Sequence, residues 1–312
     1  MNKTIENIKY TNYLSLYLIH YIQRFFRYIK YDRLDDATYL KLMFERKQGY
    51  KLDLDNPKTL NEKIQWLKIH DRKPLYTICA DKYAIRDYIS EKFGDKYLIP
   101  LVMHTSDVKQ LNANNLPDYP FIIKANHDSG NYKIIRDKNN VDWAKQQLIC
   151  KSWLLNNYFP IDREWQYKNI KPQIVVEKLL IQKDGKIPND YKLHIINGKV
   201  EFTYVSYDRE GLNKRYIYNR EWMPLDFTWA NKSKDISKIK GPEIPPPDSL
   251  QEMYEIAEKI ALDYPKYIRV DFYDVDGKLY LGEITQHHAG GFDQIKPFEF
   301  DLKYGEMINI NQ

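Results

Sequence analysis

The segment from residue 268 to residue 285 alternates apolar and polar side chains on both sides of a turn, which constrains the fold more than any other feature of the sequence. The alternating positions are Ile268, Arg269, Val270, Asp271, Phe272 and Tyr273 before the turn, and Tyr280, Glu283 and Ile284 after it. A period of two is typical of strands with one face on a core. The segment therefore predicts a hairpin with one apolar face and one charged face.

The length of the turn decides whether the carboxylates of Asp271 and Glu283 lie on the same face. A two-residue turn at Val275-Asp276 would put them on opposite faces, because a shift of one residue reverses every side chain. A three-residue turn with Gly277 in the left-handed conformation shifts the pairing by one. The second turn is the one that brings the two acids together.

The three-residue turn predicts that Asp271 lies opposite Leu281 and Arg269 lies opposite Glu283, so that both carboxylates share a face with a guanidinium. Carboxylate oxygens suit Mg²⁺, which also accepts nucleotide oxygens, and arginine binds phosphate through two nitrogens. We therefore predict a site for Mg²⁺ and phosphate. An ordinary arginine–carboxylate pair on a solvated sheet face remains the alternative.

The rest of the chain mixes helices with strands. Residues 35–95 favour helices, and Thr59 followed by Glu62 is a capping box that begins one of them. Further along, Asn197-Gly198 is a strong hairpin signal. The predicted strands lie at 121–125, 133–136, 174–180, 191–196 and 200–205, with helices over 141–158 and from residue 248 or 249 to about 263. This pattern fits an α+β architecture.

The N-terminal segment 8–30 predicts an amphipathic helix. Its apolar positions at helical spacing are Tyr10, Tyr13, Leu14, Tyr17, Leu18, Tyr21, Ile22, Phe25 and Ile29, and its polar side gathers His20, Gln23, Arg24, Arg27 and Lys30. Two interpretations remain open. The helix either packs on the rest of the protein or lies in a membrane interface, where aromatic rings sink and cations meet anionic lipid.

Composition and missing motifs exclude several classes of protein. The net charge of +5 favours anionic partners such as nucleotides or acidic sugars, but it is too small for a domain that binds duplex nucleic acid. Cys79 and Cys150 form no CxxC motif, which disfavours a zinc cluster or a disulfide framework. No P-loop, GxGxxG or GxSxG motif occurs. A start without a signal peptide and the lack of a long apolar run predict a cytoplasmic protein.

Charged residues along the chain follow the order that is typical of the ATP-grasp superfamily. They are Lys82, Lys124, Glu177, Arg269, Asp271 and Glu283. More narrowly, the chain after about residue 35 resembles the TupA-like ATP-grasp proteins of bacterial surface-polysaccharide gene clusters. The segments that carry this resemblance are LDLDNPKTLNEKIQWLK at 52–68, ADKYAIR at 80–86, IKANHDSG at 123–130, NDYK at 189–192 and GEITQHHAGGF at 282–292.

The resemblance implies a nucleotide site, whose residues are Lys82, Lys124, Asn126, Ser129, Gly130, Glu177, Lys178, Leu180 and Asp184. The two lysines hold the phosphates, and residues 126–130 form a flexible loop that closes over the β- and γ-phosphates. Residues 177–180 form the hinge that reads adenine through backbone groups. Asp184 lies where such enzymes often place an acid that binds ribose.

The resemblance also implies the reacting centre. The metal ligands are Asp271 and Glu283, and the catalytic residues are Arg269, Lys192, His287 and His288. The two histidines orient substrate or contact phosphate, with structural packing as the alternative. Thr285 departs from the wider superfamily, where an amide side chain often supplies another metal ligand.

The implied fold is the ATP-grasp fold, with two α+β subdomains that clasp ATP behind a helical N-terminal region. The expected division is a helical region at 1–75, a subdomain with the phosphate-covering loop at 76–172, and a subdomain with the adenine hinge and metal site at 173–312.

The implied reaction joins a carboxylate to an amine. ATP, with Mg²⁺, phosphorylates the carboxylate, and an amine displaces phosphate from the acylphosphate to form an amide. The expected partners are an amino acid and a uronic acid or amino sugar of a capsular or other surface polysaccharide. A glycosyltransferase is the main alternative, because Asp274-Val-Asp276 is a DxD motif, although turn chemistry also explains it. A non-catalytic binding protein with a degenerate ATP fold is the second alternative.

Overall fold

The structure is a computed structural model that describes residues 8–207, 210–211, 213–231 and 240–310. The helices are α1 Tyr13–Arg27, α2 Asp36–Gln48, α3 Leu60–His70, α4 Pro74–Ala80, α5 Ile85–Phe93, α6 Trp143–Leu154, α7 Phe159–Asp162, α8 Leu250–Ala261 and α9 Phe298–Met307. The strands are β1 Leu101–Thr105, β2 Phe121–Ala125, β3 Tyr132–Ile135, β4 Ile174–Lys178, β5 Asp190–Ile196, β6 Lys199–Tyr207, β7 Lys214–Asn219, β8 Thr228–Ala230, β9 Tyr267–Val275, β10 Lys278–Thr285 and β11 Gln294–Lys296. The mixture confirms the predicted α+β class.

The N-terminal helices begin where the sequence supplies caps. Asn12 caps α1 by accepting a hydrogen bond from the amide of Ser15, and one π-helical turn extends this helix to Asp32. The predicted capping box of Thr59 and Glu62 begins α3. The predicted helix over 141–158 is shorter in the structure, because α6 ends at Leu154 and α7 is a separate turn.

The smaller sheet has the strand order β1-β4-β2-β3, and all its pairs are antiparallel. Its apolar face packs against α6 around Ile123, Ile174 and Trp153. The expected subdomain boundary at residue 173 falls just before β4, which is hydrogen-bonded into this sheet. The division of the chain stays a prediction, and the pairing of β4 favours a boundary after this strand.

The larger sheet has the antiparallel order β10-β9-β5-β6-β7. One face packs against α4, α5 and α8 around Leu193 and Val270. The other face is apolar near Phe202 and Tyr267, and α3 and α9 cover this part of it. Gly305 of α9 allows this close approach, because a Cβ there would collide with the carbonyl oxygen of Lys58. Further along the same face, apolar side chains give way to charged ones.

The register of the β9–β10 hairpin differs from the predicted one, although the two acids share a face as expected. The turn has two residues, Asp276 and Gly277, both with positive φ. A regular ladder from that turn would leave Glu283 opposite Val270, on the wrong face. A β-bulge between Leu281 and Glu283 inserts Gly282 and moves Glu283 opposite Asp271.

The bulged ladder also corrects the predicted partners of the neighbouring residues. Leu281 pairs with Phe272 rather than with Asp271, and Arg269 pairs with Thr285 rather than with Glu283. One extra residue is needed to bring the two acids to the same face, and the prediction placed that residue in the turn. The bulge supplies that residue within β10 instead.

Candidate active site

A cleft of about 270 Å³ is lined by residues of both sheets and of α5. Its apolar lining includes Ile85, Ile89, Ile99, Ile122, Ile134 and Leu179. Its charged lining includes Lys82, Lys124, Glu177, Lys192, Asp271 and Glu283. A flat apolar ring and a polyanion therefore find suitable surfaces in one cleft.

At the charged end, the alternation of β9 and β5 brings Asp271 and Lys192 to one sheet face as direct cross-strand partners. Arg269 donates to Asp271 from Nε to Oδ1 at 2.7 Å and from Nη2 to Oδ2 at 2.8 Å. Lys192 Nζ donates to the same Oδ2 at 2.6 Å. Glu283 lies at 3.3 Å from Arg269 Nη2. The three residues predicted from the hairpin are therefore in direct contact.

Electrostatics keep Asp271 and Lys192 ionised. Burial alone would raise the pKa of Asp271, but Arg269 and Lys192 hold it below its usual value. Burial opposes the charge on Lys192, and Asp190 and Asp271 overcome this to raise its pKa. Asp190, which sequence reasoning missed, lies 2.6 Å from Lys192 Nζ. Its place two residues before Lys192 on β5 was the available signal, since both then share a face.

The structure separates the two histidines. His288 presents Nδ1 to Arg269 Nη1 at 2.7 Å, and burial together with Arg269 holds its pKa well below the usual value. A neutral imidazole accepts this hydrogen bond, so His288 acts on the cleft only through Arg269. His287 points elsewhere, with Nδ1 at 3.7 Å from Oε1 of Glu164. Neither ring lines the cleft.

Glu164 is a buried acid that sequence reasoning missed. Burial raises its pKa to about 8, although the nearby Lys68 opposes the shift. Lys68 Nζ donates to the carbonyl oxygens of Gly290 at 2.5 Å and Asp162 at 2.8 Å. Through this lysine, α3 holds the loop that follows β10. No local pattern marks Glu164, because its position depends on how distant segments pack.

The two lysines that the resemblance predicts to bind phosphate both line the cleft. Lys124 Nζ donates to Glu177 Oε2 at 2.7 Å, and Arg86 Nη1 lies 3.5 Å from Oε1 of the same carboxylate. Lys82 Nζ donates to the backbone oxygen of Asp128. Arg86 was also missed, although it belongs to the quoted ADKYAIR segment.

The loop at residues 126–130 divides into a buried part and an exposed part. Asn126 is fully buried and bonds to Asp81 Oδ1 at 2.9 Å and to the amide of Gln173 at 2.7 Å, so it fixes the loop and does not line the cleft. Ser129 and Gly130 do line it, and the backbone of Gly130 has φ +98°.

The hinge after β4 offers only part of its backbone to a ligand. The amides of Lys178 and Leu179 already donate to the carbonyls of Pro100 at 2.9 Å and Pro120 at 3.0 Å, so neither amide is free for a ligand. Lys178 and Leu180 line the cleft. Asp184, the predicted ribose acid, lies outside it in a turn, where Oδ1 accepts from the amide of Lys186 at 2.9 Å.

The donor set at the charged end fits Mg²⁺. Asp271 and Glu283 supply carboxylate oxygens, and Mg²⁺ usually takes one or two carboxylates and completes its shell with water and phosphate oxygens. Within the residues that the structure describes, no group of three or more His, Cys, Asp or Glu side chains could hold a metal without such help. Thr285, whose Oγ1 is buried without a hydrogen-bond partner, lies opposite Arg269.

The model of the TupA-like ATP-grasp family matches residues 62–309. The chain belongs to this family. The match covers both sheets, the cleft and the hairpin with Asp271 and Glu283, and it confirms the predicted family and ATP-grasp fold. The helix α1 lies outside it.

Several solved structures are similar in fold. D-alanine–D-alanine ligase from Helicobacter pylori is 19% identical, with 80% of this chain and 68% of that chain covered and a TM-score of 0.42. The same enzyme from Bacillus anthracis is 18% identical, covering 67% and 56%, with a TM-score of 0.36. N5-carboxyaminoimidazole synthetase from Staphylococcus aureus, complexed with ADP, is 14% identical, covering 66% and 43%, with a TM-score of 0.36.

These likenesses extend to the fold alone. This chain spans about 56% of the length of the Bacillus anthracis ligase. Among curated proteins, none matches the sequence.

Proposed function

We propose that this protein is an ADP-forming carboxylate–amine ligase. The observation that carries the proposal is the contact of Arg269 with Asp271 and Glu283 beside a cleft that also has apolar walls. ATP placed with adenine between the apolar walls would direct its phosphates toward Lys82, Lys124 and this cluster. The family and its fold support that placement.

The charged residues at the cleft would have different roles in the reaction. Asp271 and Glu283 would hold Mg²⁺, which supplies positive charge to the triphosphate. Arg269 is fixed by Asp271 on one side and His288 on the other, so its guanidinium needs no reorganisation to stabilise charge on the transferring phosphoryl group. Lys192, held by two carboxylates, adds a second fixed cation on the same sheet face.

The proposed chemistry has two steps. A carboxylate oxygen of the substrate attacks the γ-phosphorus of ATP, the bond to ADP breaks, and an acylphosphate forms. The amine of the second substrate then attacks the acyl carbon and phosphate departs with the electron pair. The amine loses one proton to solvent or phosphate, and an amide remains. In each step positive charge is needed near the oxygens of the phosphoryl group, and the cations of the cleft would provide it.

For substrates, we propose an amino acid and a uronic acid or amino sugar of a capsular or other surface polysaccharide. The resemblance to proteins of surface-polysaccharide clusters supports this choice, and the net charge of +5 suits an acidic sugar. We also propose a cytoplasmic location, where ATP and Mg²⁺ are supplied, at the inner face of the membrane.

The glycosyltransferase alternative has little support in the hairpin turn. Asp274 accepts hydrogen bonds from the amide of Gly277 at 2.7 Å and from Ser249 Oγ at 2.5 Å. Asp276 accepts from the amide of Lys183 at 3.0 Å. Neither carboxylate lines the cleft: Asp274 stabilises the turn, and Asp276 joins the turn to the segment at Lys183.

Thermal unfolding with nucleotides tests the proposal. ATP with Mg²⁺ should raise the Tm by several degrees, and Asp271→Asn or Glu283→Gln should remove most of this shift. Asp276→Asn is the matched control, since it changes a carboxylate of the same hairpin outside the cleft, and it should keep the shift. Stabilisation by UDP-sugars and not by ATP would contradict the proposal.

A product assay tests the reaction itself. Release of ADP and phosphate should require one acid and one amine from a panel of uronic acids, amino sugars and amino acids. Amide formation is then checked by mass spectrometry. ADP release that ignores both substrates would leave only an ATPase, and ATP binding without any ADP release would favour the non-catalytic alternative.

A further inference from the structure

The helix α1 exposes an apolar face that the described part of the protein does not cover. Ten of the 18 large hydrophobic side chains exposed in that part lie between residues 8 and 29. Those on α1 itself are Tyr13, Leu14, Leu18, Tyr21, Ile22, Phe25 and Phe26. Leu14 is 79% exposed and Phe26 is 67% exposed. An exposed apolar stripe of this kind marks an interaction surface.

The opposite side of α1 attaches the helix to the protein. Leu16 and His20 are the buried residues of this helix. Just before it, the hydroxyl of Tyr10 lies 3.3 Å from Ser152 Oγ on α6. The helix is therefore seated with its larger apolar arc outward, which excludes the packing of that arc on the described residues.

The charge of residues 7–31 indicates what binds the exposed face of α1. Residues 7–31 contain no Asp or Glu. Arg24 and Lys30 are exposed beside the apolar arc, and Arg27, which pairs with Asp32, lies further round. A second copy of this face would bring cations against cations, whereas a bilayer with anionic headgroups offers both an apolar layer and opposite charge.

We propose that α1 lies flat in the interface of an anionic membrane, with Leu18, Ile22 and Phe25 among the side chains that enter the acyl region and Arg24 and Lys30 at the phosphates. No helix in the described ranges is long and apolar enough to cross a bilayer, and α1, at about 22 Å, is too short to span it. This inference extends the proposed peripheral location and does not depend on the ligase activity.

Vesicle cosedimentation of the full chain tests the inference. The protein should pellet with vesicles of phosphatidylcholine containing 30% phosphatidylglycerol, at about the composition where surface charge dominates binding, and far less with phosphatidylcholine alone. Leu18→Gln/Ile22→Gln/Phe25→Gln should lower the partition coefficient at least about tenfold, since glutamine keeps the helix but removes the apolar surface. Arg24→Gln/Lys30→Gln should lower it on anionic vesicles and weaken its salt dependence.

The matched control is Met223→Gln/Leu262→Gln, which removes two equally exposed apolar side chains outside α1 and should bind as the wild type does. Equal binding by the wild type and the triple variant, or no binding to either vesicle, would overturn the inference. Concentration-dependent dimers that the triple variant abolishes, in the absence of vesicles, would identify a second copy as the occupant instead. A preserved shift of Tm with ATP and Mg²⁺ in the triple variant separates this result from the fate of the ligase proposal.

Discussion

Arg269 donates a hydrogen bond from Nη1 to Nδ1 of His288 at 2.7 Å, while two other nitrogens of the same guanidinium contact Asp271. The buried imidazole stays neutral, because both burial and the adjacent guanidinium lower its pKa. His288 thus orients the guanidinium and adds no second positive charge beside it.

Replacement of His288 by phenylalanine should reduce the turnover of the proposed reaction. A hydrogen bond from a charged donor contributes about 1.5–3 kcal/mol, so we expect kcat to fall roughly 10- to 100-fold with a smaller change in KM for ATP. His288→Asn keeps an acceptor near the position of Nδ1 and should restore most of kcat. Equal losses in the two variants would show that the ring packs the core and does not position Arg269.

Replacement of Gly282 by alanine should disturb the bulge that aligns the two acids. A Cβ at Gly282 would lie 2.7 Å from Cε2 of the Tyr273 ring. We expect a loss of about 1–3 kcal/mol in the free energy of unfolding, together with weaker ATP–Mg²⁺ binding, because Glu283 moves with the bulge. Urea unfolding and calorimetry measure the two effects.

The control for this variant is Gly277→Ala in the same hairpin. Gly277 has φ +87° and open space around its missing Cβ, so alanine there costs about 1 kcal/mol in backbone strain. Nucleotide affinity should be retained. If Gly282→Ala behaves like Gly277→Ala, the bulge has no part in the alignment of the site.

Replacement of Lys124 by methionine should weaken nucleotide binding. Lys124 contacts Glu177 inside the cleft, and its removal leaves the Glu177 carboxylate, among the described residues, with the longer contact to Arg86. We expect the Kd for ATP–Mg²⁺ to rise about 10- to 100-fold by calorimetry. Lys133→Met is the matched control, since Lys133 is an exposed lysine on the adjacent strand outside the cleft. A similar Kd in both variants would remove Lys124 from the nucleotide site.

Stability should depend on pH through Glu164. Its folded pKa is raised by burial to about 8, while Lys68 and Arg269 oppose the shift. An acid with a raised folded pKa contributes stability below its unfolded pKa, and that stability is lost as pH rises from the unfolded value of about 4.5 toward 8. Glu164→Gln removes this loss, so its stability relative to wild type should increase from pH 5 to pH 8 by at least about 1 kcal/mol in urea unfolding.

The control for the pH experiment is Glu255→Gln, which changes an exposed glutamate on α8. Its stability relative to wild type should stay constant across the same range. A flat difference for Glu164→Gln would mean that Glu164 is already ionised in the folded protein, stabilised by Lys68.

Local chemistry made much of the fold predictable. The alternation on β9, the capping box of α3 and the hairpin signal at Asn197-Gly198 are short-range effects, and the structure contains all three elements. The turn at Asp276-Gly277 is also a recognised hairpin signal. The interpretation went wrong there because it sought the extra residue in the turn, whereas a bulge forms only where the partner strand and a packed ring accommodate it.

The remaining differences depend on long-range packing. The resemblance predicted Asn126 and Asp184 as nucleotide-binding residues from their motif positions alone. In the structure the Asn126 side chain is buried in the protein, and Asp184 lies in a turn outside the cleft. Periodicity predicted that α1 is amphipathic, but only the packed structure shows that its apolar arc faces outward. Glu164 had no local signal at all.

Most cations of the cleft and its surroundings are paired with carboxylates. The paired cations are Arg86, Lys124 and Lys192 of the lining and Arg269 beside it, and the carboxylates in contact with them are Glu177, Asp190, Asp271 and Glu283. Lys82, which also lines the cleft, contacts a backbone oxygen instead. These cations thus have carboxylate counterions within the protein, and a polyanion that arrives with a divalent cation would exchange partners within this set. Dissolved salt screens little in such an exchange. The affinity of the cleft for the polyanion should therefore depend on ionic strength less steeply than the affinity of an open basic patch would.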